Sequence, residues 1–168
     1  MNNKYEFTGE TLEYEGKTLH RIRALRDFGD VKAGEVGGWV ESEANLSHKN
    51  LAWISDNARV TDNARVSDNA RVSAALVTDN ARVSGNARVS ATKDYCTCGP
   101  IGSRNDYTTV FRDSKLGVRV VCGCFSGSLD DFEKAVNKTH PYDQHGMEYR
   151  ALIALARIRF AYVFDEIT

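Results

Sequence analysis

The sequence predicts a mainly β protein, in which a short left-handed parallel β-helix of about three coils lies between an N-terminal β cap and a small C-terminal α+β domain. A six-residue word recurs between residues 52 and 90, alternating strand patterns precede it, and helix and strand patterns without that period follow it. A short fixed period is typical of a solenoid, whose units bury their apolar faces only by stacking on one another. We expect four segments: a cap (1–37), the β-helix (38–90), a linker (91–106) and the α+β domain (107–168).

The repeated word carries a small and a branched apolar residue two positions apart, as in Ala58-Arg59-Val60 and Ala64-Arg65-Val66. On a strand these two side chains point inward and the arginine between them points outward. Asparagine after each strand tolerates the left-handed backbone of a tight corner. Such triplets from Gly38 to Val89 give nine sides, which make three coils with three sides each.

Two irregularities interrupt this count. Two extra residues between Leu46 and Ala52 predict a corner that bulges outward around His48. One residue missing before Ala75 predicts a tighter corner.

The count also predicts which outward side chains stack: Asn63 under Asn80, Asn69 under Asn86, Arg65 under Arg82, and Trp53 under Arg71 under Arg88. Stacked guanidinium groups repel one another unless acidic neighbours, such as Asp62 and Asp79, or an anionic partner neutralise them. Two interpretations stay open, an internally neutralised ladder exposed to solvent or a surface that binds an anion or another subunit. For the second, the ligand-binding residues would be Trp39, Trp53, Arg65, Arg71, Arg82 and Arg88.

The segment before the repeat reads as strands and tight turns. Tyr5-Glu6-Phe7 alternates, and residues 12–22 read as a β-hairpin that turns at Glu15-Gly16. Because an open β-helix end exposes unpaired strand edge, we expect residues 1–37 to cover that end.

After Ser90 the period is lost. Residues 108–112 and 118–122 read as a second hairpin, and Ser128 begins a helix that continues to Lys138. A second helix over residues 147–158 is predicted to bury Leu152, Leu155 and Ile158 on one face. Residues 159–164 read as a last strand.

Charge and hydropathy exclude several classes of protein. The formal net charge is −1 and no segment is strongly basic, so binding to nucleic acid is not expected. No apolar run reaches the roughly 18 residues of a membrane helix, and the first residues lack the apolar core of a signal peptide. We therefore expect a cytoplasmic protein.

Four cysteines form two Cys-x-Cys pairs, Cys96/Cys98 and Cys122/Cys124. Disulfides are disfavoured in a reducing cytosol. A zinc site of four thiolates is the alternative to unmodified thiols, although structural zinc sites usually space each pair by two to four residues. No cofactor is expected.

The repeat resembles that of the hexapeptide-repeat proteins, which include trimeric acyltransferases and gamma-class carbonic anhydrases. The flanks resemble small hexapeptide-repeat proteins encoded by bacteriophages and prophages, through residues 16–25, 37–42, 123–127 and 138–140. That resemblance implies the fold and a location in the host cytoplasm, but no assigned chemistry. Three coils alone bury little interior, so we expect their flat sides to associate into a trimer.

Histidines are the candidate catalytic residues. The resemblance implies a coil histidine as general base in an acyltransferase, and His48 alone lies within the repeat. His140 and His145, with Asp143 between them, could ligate a metal or act on a substrate, or could simply belong to a polar connection between helices.

Binding is therefore the function expected. We expect a non-catalytic phage accessory protein, a homotrimer or a multiple of one, that binds and sequesters a host protein or a small anionic, nucleotide-like ligand, plausibly to counteract host defence. An acyltransferase-like enzyme is the alternative, and an oligomeric scaffold is the third hypothesis.

Overall fold

The computed structural model of the protein describes residues 4–161. Contacts divide the chain into two compact units, an N-terminal unit, Met1–Thr92, and a C-terminal unit, Lys93–Thr168. The described chain is mainly β, with two α-helices. None of the helices within residues 4–161 is long and apolar enough to cross a membrane.

The N-terminal unit begins with a three-stranded antiparallel segment. Strands β1 (Tyr5–Tyr14) and β2 (Lys17–Ala24) form the expected hairpin, and β2 also pairs with β3 (Val36–Val40). Glu15 and Gly16 both have positive φ, as a two-residue type I′ turn requires. The hairpin is therefore joined directly to the first strand of the repeat.

Seven strands of two or three residues follow: β4 (Trp53–Ser55), β5 (Arg59–Val60), β6 (Arg65–Val66), β7 (Arg71–Ser73), β8 (Leu76–Val77), β9 (Arg82–Val83) and β10 (Arg88–Val89). They pair in parallel as the stacks β3-β5-β8, β4-β7-β10 and β6-β9, and Leu46 adds a parallel bridge to Val66. Short parallel strands that stack on equivalent strands 17 to 20 residues along the chain, as Arg65 on Arg82, are the structure of a β-solenoid.

The inward alternation is confirmed by burial. The alanines and valines of the repeated word are at most 3% exposed: Ala58, Ala64, Ala70, Ala75, Ala81, Ala87, Val60, Val66, Val72, Val77, Val83 and Val89. The predicted stacking is confirmed for Arg65 with Arg82 and for Trp53 with Arg71 and Arg88. Asn63 Nδ2 also donates to Asn80 Oδ1 over 3.3 Å.

The corners differ from the prediction in one respect. Asparagine takes the left-handed backbone at Asn50, as predicted, but in the repeated word the aspartate before the asparagine does so, with φ between 53° and 60° at Asp56, Asp62, Asp68 and Asp79. An aspartate carboxylate there can accept a backbone N–H of the stacked corner 17 residues later, as Asp68 Oδ2 accepts from Gly85 over 3.0 Å. This bond between stacked corners favours aspartate at that position.

The C-terminal unit contains a four-stranded antiparallel sheet in sequence order, β11 (Tyr95–Ile101), β12 (Asp106–Asp113), β13 (Gly117–Cys122) and β14 (Phe125–Ser128). Helices α1 (Leu129–Thr139) and α2 (Gln144–Arg159) follow. Two short 3₁₀ helices, Glu43–Asn45 and Thr92–Asp94, lie earlier in the chain. Apolar residues of β12, β13 and both helices form one core.

At the start of this unit one sequence prediction needs correction and another is confirmed. Part of the predicted linker (91–106) is strand β11, because its Cys-Thr-Cys segment pairs with Thr108–Val110 of β12. The predicted N-cap is confirmed, since Ser128 Oγ accepts from the Asp131 N–H over 3.1 Å.

The face predicted for the second helix is right for Leu152 and wrong for Leu155 and Ile158. Leu155 and Ile158 are 51% and 77% exposed, whereas Tyr149, Leu152, Ile153 and Ala156 are buried. Helix α2 is apolar on more than one side, so periodicity alone did not identify the face that packs. Arg159 ends this helix and Phe160 follows as its C-cap, so no strand begins at residue 159, and residues 162–164 of the predicted last strand lie outside the described part.

Candidate functional site

A pocket of about 310 Å³ opens in the C-terminal unit, between helix α1, the β13–β14 turn and Tyr149 of α2. We call it the C-terminal pocket. Its apolar wall is formed by Phe125, Phe132, Ala135 and Val136, and its polar groups include Arg104, Cys122, Cys124, His140 and Tyr149. An apolar wall with a few convergent polar groups is typical of a small-molecule site.

The β13–β14 turn brings two thiols to this pocket. Cys122 pairs with Phe125 across the hairpin, so only Gly123 and Cys124 form the loop. Gly123 has φ of +57°, which suits the first central position of a type II′ turn. Arg104 lies over the same turn, with its Nη1 3.3 Å from the position that a Cβ on Gly123 would occupy.

Cys122 is held by hydrogen bonds at the inner side of the pocket. Thr108 Oγ1 donates to its sulfur over 3.1 Å, and the thiol is 3.8 Å from Tyr149 Oη. Burial, together with the Cys122 contact, raises the pKa of Tyr149 to about 12. Tyr149 therefore keeps its proton at neutral pH and can donate to a ligand.

His140 is fixed at the end of α1. Its Nδ1 lies 2.8 Å from Asp143 Oδ2, and only 17% of its side chain is exposed. Asp143 is also the N-cap of α2, where its Oδ1 accepts from the Gly146 N–H over 2.8 Å. The Gly146 N–H and the imidazole hold the pKa of Asp143 below its usual value.

Glycine at position 146 allows this arrangement. A Cβ there would lie 1.9 Å from the His140 carbonyl oxygen, so any larger residue would push the histidine away from α2. His145, the other predicted histidine, stands edge-on to His140 with ring centroids 5.7 Å apart, and its Nδ1 is 3.9 Å from Glu148. It lies outside the pocket lining.

The charge of the pocket favours an anion. Arg104 contributes a permanent positive charge, and the His140 imidazole lines the same pocket. Among the described residues, the lining includes no carboxylate. A phosphate or carboxylate could accept charge-assisted hydrogen bonds from the guanidinium.

From the sequence, the cysteines and the histidines were considered as separate candidate sites. The structure brings Cys122, Cys124 and His140 to one pocket. Cys96 and Cys98 lie instead on β11, where burial raises the pKa of the Cys96 thiol. No three His, Cys, Asp or Glu side chains within residues 4–161 are grouped so that they could hold a metal ion. The four-thiolate zinc site is therefore not formed in this part of the chain.

His48 has a structural role in the N-terminal unit. Its Nδ1 accepts from the Lys4 backbone N–H over 3.3 Å, and its ring stacks on Tyr5 with centroids 4.2 Å apart. These contacts attach the start of β1 to the bulged corner. The assignment of His48 as a general base therefore has no support in its surroundings.

The predicted arginine ladder divides into two columns. Arg65 and Arg82 are exposed and in register. In the other column, Arg71 forms an ion pair with Asp30, and Arg88 donates to the Asn69 and Ala87 carbonyl oxygens over 3.1 and 2.8 Å. The guanidinium groups of the second column therefore already bond to other groups of this protein.

The aromatic and acidic neighbours of the ladder differ from the prediction. Trp53 is 2% exposed and packs edge-on to Phe28, so it cannot stack on a ligand. Trp39 is covered by Arg21, whose guanidinium carbon lies 4.9 Å from the ring centroid. Asp62 forms its ion pair with Lys17 rather than with the ladder, and this contact holds its pKa well below the usual range.

Arg104, Phe125, Phe132 and Tyr149 were missed by sequence reasoning. Arg104 lay in the predicted linker and the aromatic residues looked like core, and no local pattern distinguishes a pocket wall from core. Only the packing of α1 and α2 on the sheet brings these side chains to one site.

Comparison with known proteins identifies the repeat. Residues 52–66, 64–78 and 79–91 match the family model described as the YdcK beta solenoid repeat. No curated protein matches the chain. With its parallel strand stacks, the chain is therefore a repeat β-solenoid protein, similar over residues 52–91 to the YdcK repeat.

Proposed function

We propose that this protein is a non-catalytic binding protein that captures a small anionic molecule in the C-terminal pocket. The observation that supports it best is the combination of one permanent cation, Arg104, with an apolar wall in a pocket of about 310 Å³. That volume is at the lower end of the usual range for ligand pockets.

The wall and the polar groups together define the ligand. Phe125, which is partly exposed and packs on the buried Phe132 with ring centroids 5.1 Å apart, offers an aromatic surface for a flat apolar body. Arg104 offers paired N–H donors to a phosphate or carboxylate, and Tyr149 offers a hydroxyl. A nucleotide-like molecule, with an aromatic base and an anionic group, has this chemistry.

In this proposal the solenoid supports assembly. Its stacks form a left-handed β-helix of three coils, and its flat sides associate into a homotrimer or a multiple of one. The exposed Arg65/Arg82 column then lies at or near a subunit interface. Closed cyclic symmetry is the usual form of soluble oligomers, and light scattering should return about three times the 18.7 kDa chain mass.

The biological setting is supported only by the resemblance of the flanking segments to phage and prophage proteins. In that setting the protein acts in the host cytoplasm, and sequestering a host signal molecule would counteract a host function such as antiviral defence. A host protein is the alternative target.

Native mass spectrometry after incubation with a bacterial metabolite extract tests the proposal. We expect a bound small molecule on the wild type, its loss in Arg104→Ala, and its retention in the matched control Arg65→Ala/Arg82→Ala. If Arg104→Ala keeps the bound molecule and the control loses it, the binding site is on the solenoid and not in the C-terminal pocket. Absence of any bound mass would contradict the proposal.

An enzyme is the second candidate, favoured by one observation. The His140–Asp143 pair has the geometry that orients a general base, and thiols that could act as nucleophiles line the same pocket. Thiol release from acetyl coenzyme A distinguishes the two functions, because a binding protein would release none. Release that is abolished by His140→Ala and not by His48→Ala would favour the enzyme.

A further inference from the structure

We propose that Cys122 and Cys124 form a reversible disulfide that controls the C-terminal pocket, whereas Cys96 and Cys98 stay reduced. Control of ligand binding rests on the proposed function above. Formation of the disulfide does not, because it depends only on the geometry and exposure of the two pairs.

The turn brings the first pair within reach. Cys122 and Cys124 are the first and third residues of a four-residue turn. Because the residue between them is turned and not extended, their Cα atoms lie closer than the roughly 6.6 Å of two residues along a strand. The left-handed φ of Gly123 reverses the chain between them. Both residues line the same pocket.

The second pair is held apart by an extended strand. Cys96 and Cys98 both pair with β12, at Val110 and Thr108. Two residues along a strand span about 6.6 Å, close to the upper limit of Cα separations that disulfides bridge. Burial also raises the pKa of the Cys96 thiol, which lowers its thiolate fraction.

Exposure sets the order of the reaction. Cys124 is exposed, and Cys122 is partly buried. The Cys124 thiolate attacks a small disulfide oxidant of the glutathione class, so that one glutathione thiol leaves and a mixed disulfide forms. The Cys122 thiolate then attacks the Cys124 sulfur and releases the second thiol, so two electrons and two protons pass to the oxidant.

Closing the bond changes the pocket wall. In the disulfide the Cys122 sulfur has no proton, so it no longer donates to Tyr149 Oη, which it contacts at 3.8 Å in the reduced protein. The strained ring also alters the turn at Gly123, over which Arg104 lies. A ligand that contacts the guanidinium and the Tyr149 hydroxyl would then bind more weakly.

Disulfide mapping tests the first part. The full chain is incubated with oxidised glutathione, its free thiols are alkylated, and its peptides are mapped by mass spectrometry. We expect a Cys122–Cys124 disulfide with Cys96 and Cys98 alkylated. Cys124→Ser should abolish the disulfide and its matched control Cys98→Ser should not. Oxidation of Cys96/Cys98 first, or alkylation of all four thiols, would overturn the proposal.

Binding of anilinonaphthalene sulfonate, an aromatic anion, tests the second part. We expect the Arg104-dependent affinity for the probe to fall about fivefold or more on oxidation and to recover on reduction. A change of about fivefold corresponds to the loss of one net hydrogen bond. Unchanged affinity in protein with a mapped disulfide would overturn the control of the pocket. If reduced wild type and Arg104→Ala bind the probe equally, the proposed function fails, and the mapping still decides the disulfide.

Discussion

Substitution of Val66 by alanine tests the inward side of the solenoid. Val66 is 1% exposed and lies in register with Leu46 and Val83 in neighbouring repeats. The change removes two methyl groups, which contribute about 0.8 kcal/mol each by transfer from water. The cavity that remains adds to this, so we expect the free energy of unfolding to fall by about 1.5–3 kcal/mol.

Urea unfolding followed by tryptophan fluorescence measures this change, because both tryptophans, Trp39 and Trp53, belong to the N-terminal unit. Arg65→Ala is the matched control, since its exposed side chain points away from the interior, and its effect should be within about 0.5 kcal/mol. Equal losses in the two variants, or no loss in Val66→Ala, would refute the assignment of inward and outward positions. Val66→Asp should unfold the unit more severely, because it buries a charge without a partner.

Three further predictions concern buried polar and glycine positions. Burial lowers the pKa of Lys4 to about 8 in the folded protein, whereas the pKa of the same amine in the unfolded chain is near 10.5. Between these two pH values the Lys4 amine is mostly protonated in the unfolded chain and mostly neutral in the folded one. Wild-type stability should therefore rise relative to Lys4→Met over that window, by about 1.4 kcal/mol per pH unit in urea titrations. Gly102→Ala should destabilise the C-terminal unit by about 1–3 kcal/mol in thermal unfolding, because φ is +70° and a Cβ would lie 1.8 Å from Tyr149 Oη; an unchanged melting temperature would contradict this packing. His48→Phe should keep ligand binding and the stack on Tyr5, at a stability loss of about 1 kcal/mol for one hydrogen bond in urea unfolding; loss of binding would instead give His48 a functional role.

The solenoid could be predicted from sequence because its order is local. Each six-residue word defines its own strand, its inward residues and its corner, and parallel stacking only repeats that pattern. The stacking of Arg65 on Arg82 therefore followed from counting. The residue type at the corners was harder to predict than the strands. The choice of aspartate depends on a backbone N–H in the stacked corner, such as that of Gly85 above Asp68.

The C-terminal pocket could not be predicted in the same way. His140, the Cys122–Cys124 turn and Arg104 come from segments far apart in sequence, and only tertiary packing gathers them. Burial of Trp53 beneath Phe28 likewise depends on the segment between β2 and β3, which has no repeat pattern. Trp53 lies between two inward positions, so the repeat predicted that it would face solvent. It is buried because Phe28 packs against it.

The central claim is that the C-terminal pocket, and not the solenoid surface, holds an anionic ligand. Titration calorimetry with the molecule recovered by native mass spectrometry tests it most directly, on wild type, Arg104→Ala and Arg65→Ala/Arg82→Ala. Hydrogen bonds to charged groups contribute about 1.5–3 kcal/mol, so Arg104→Ala should weaken binding by about tenfold to a hundredfold, with the solenoid variant within about twofold of wild type. Wild-type affinity in Arg104→Ala together with a large loss in the solenoid variant would contradict the claim.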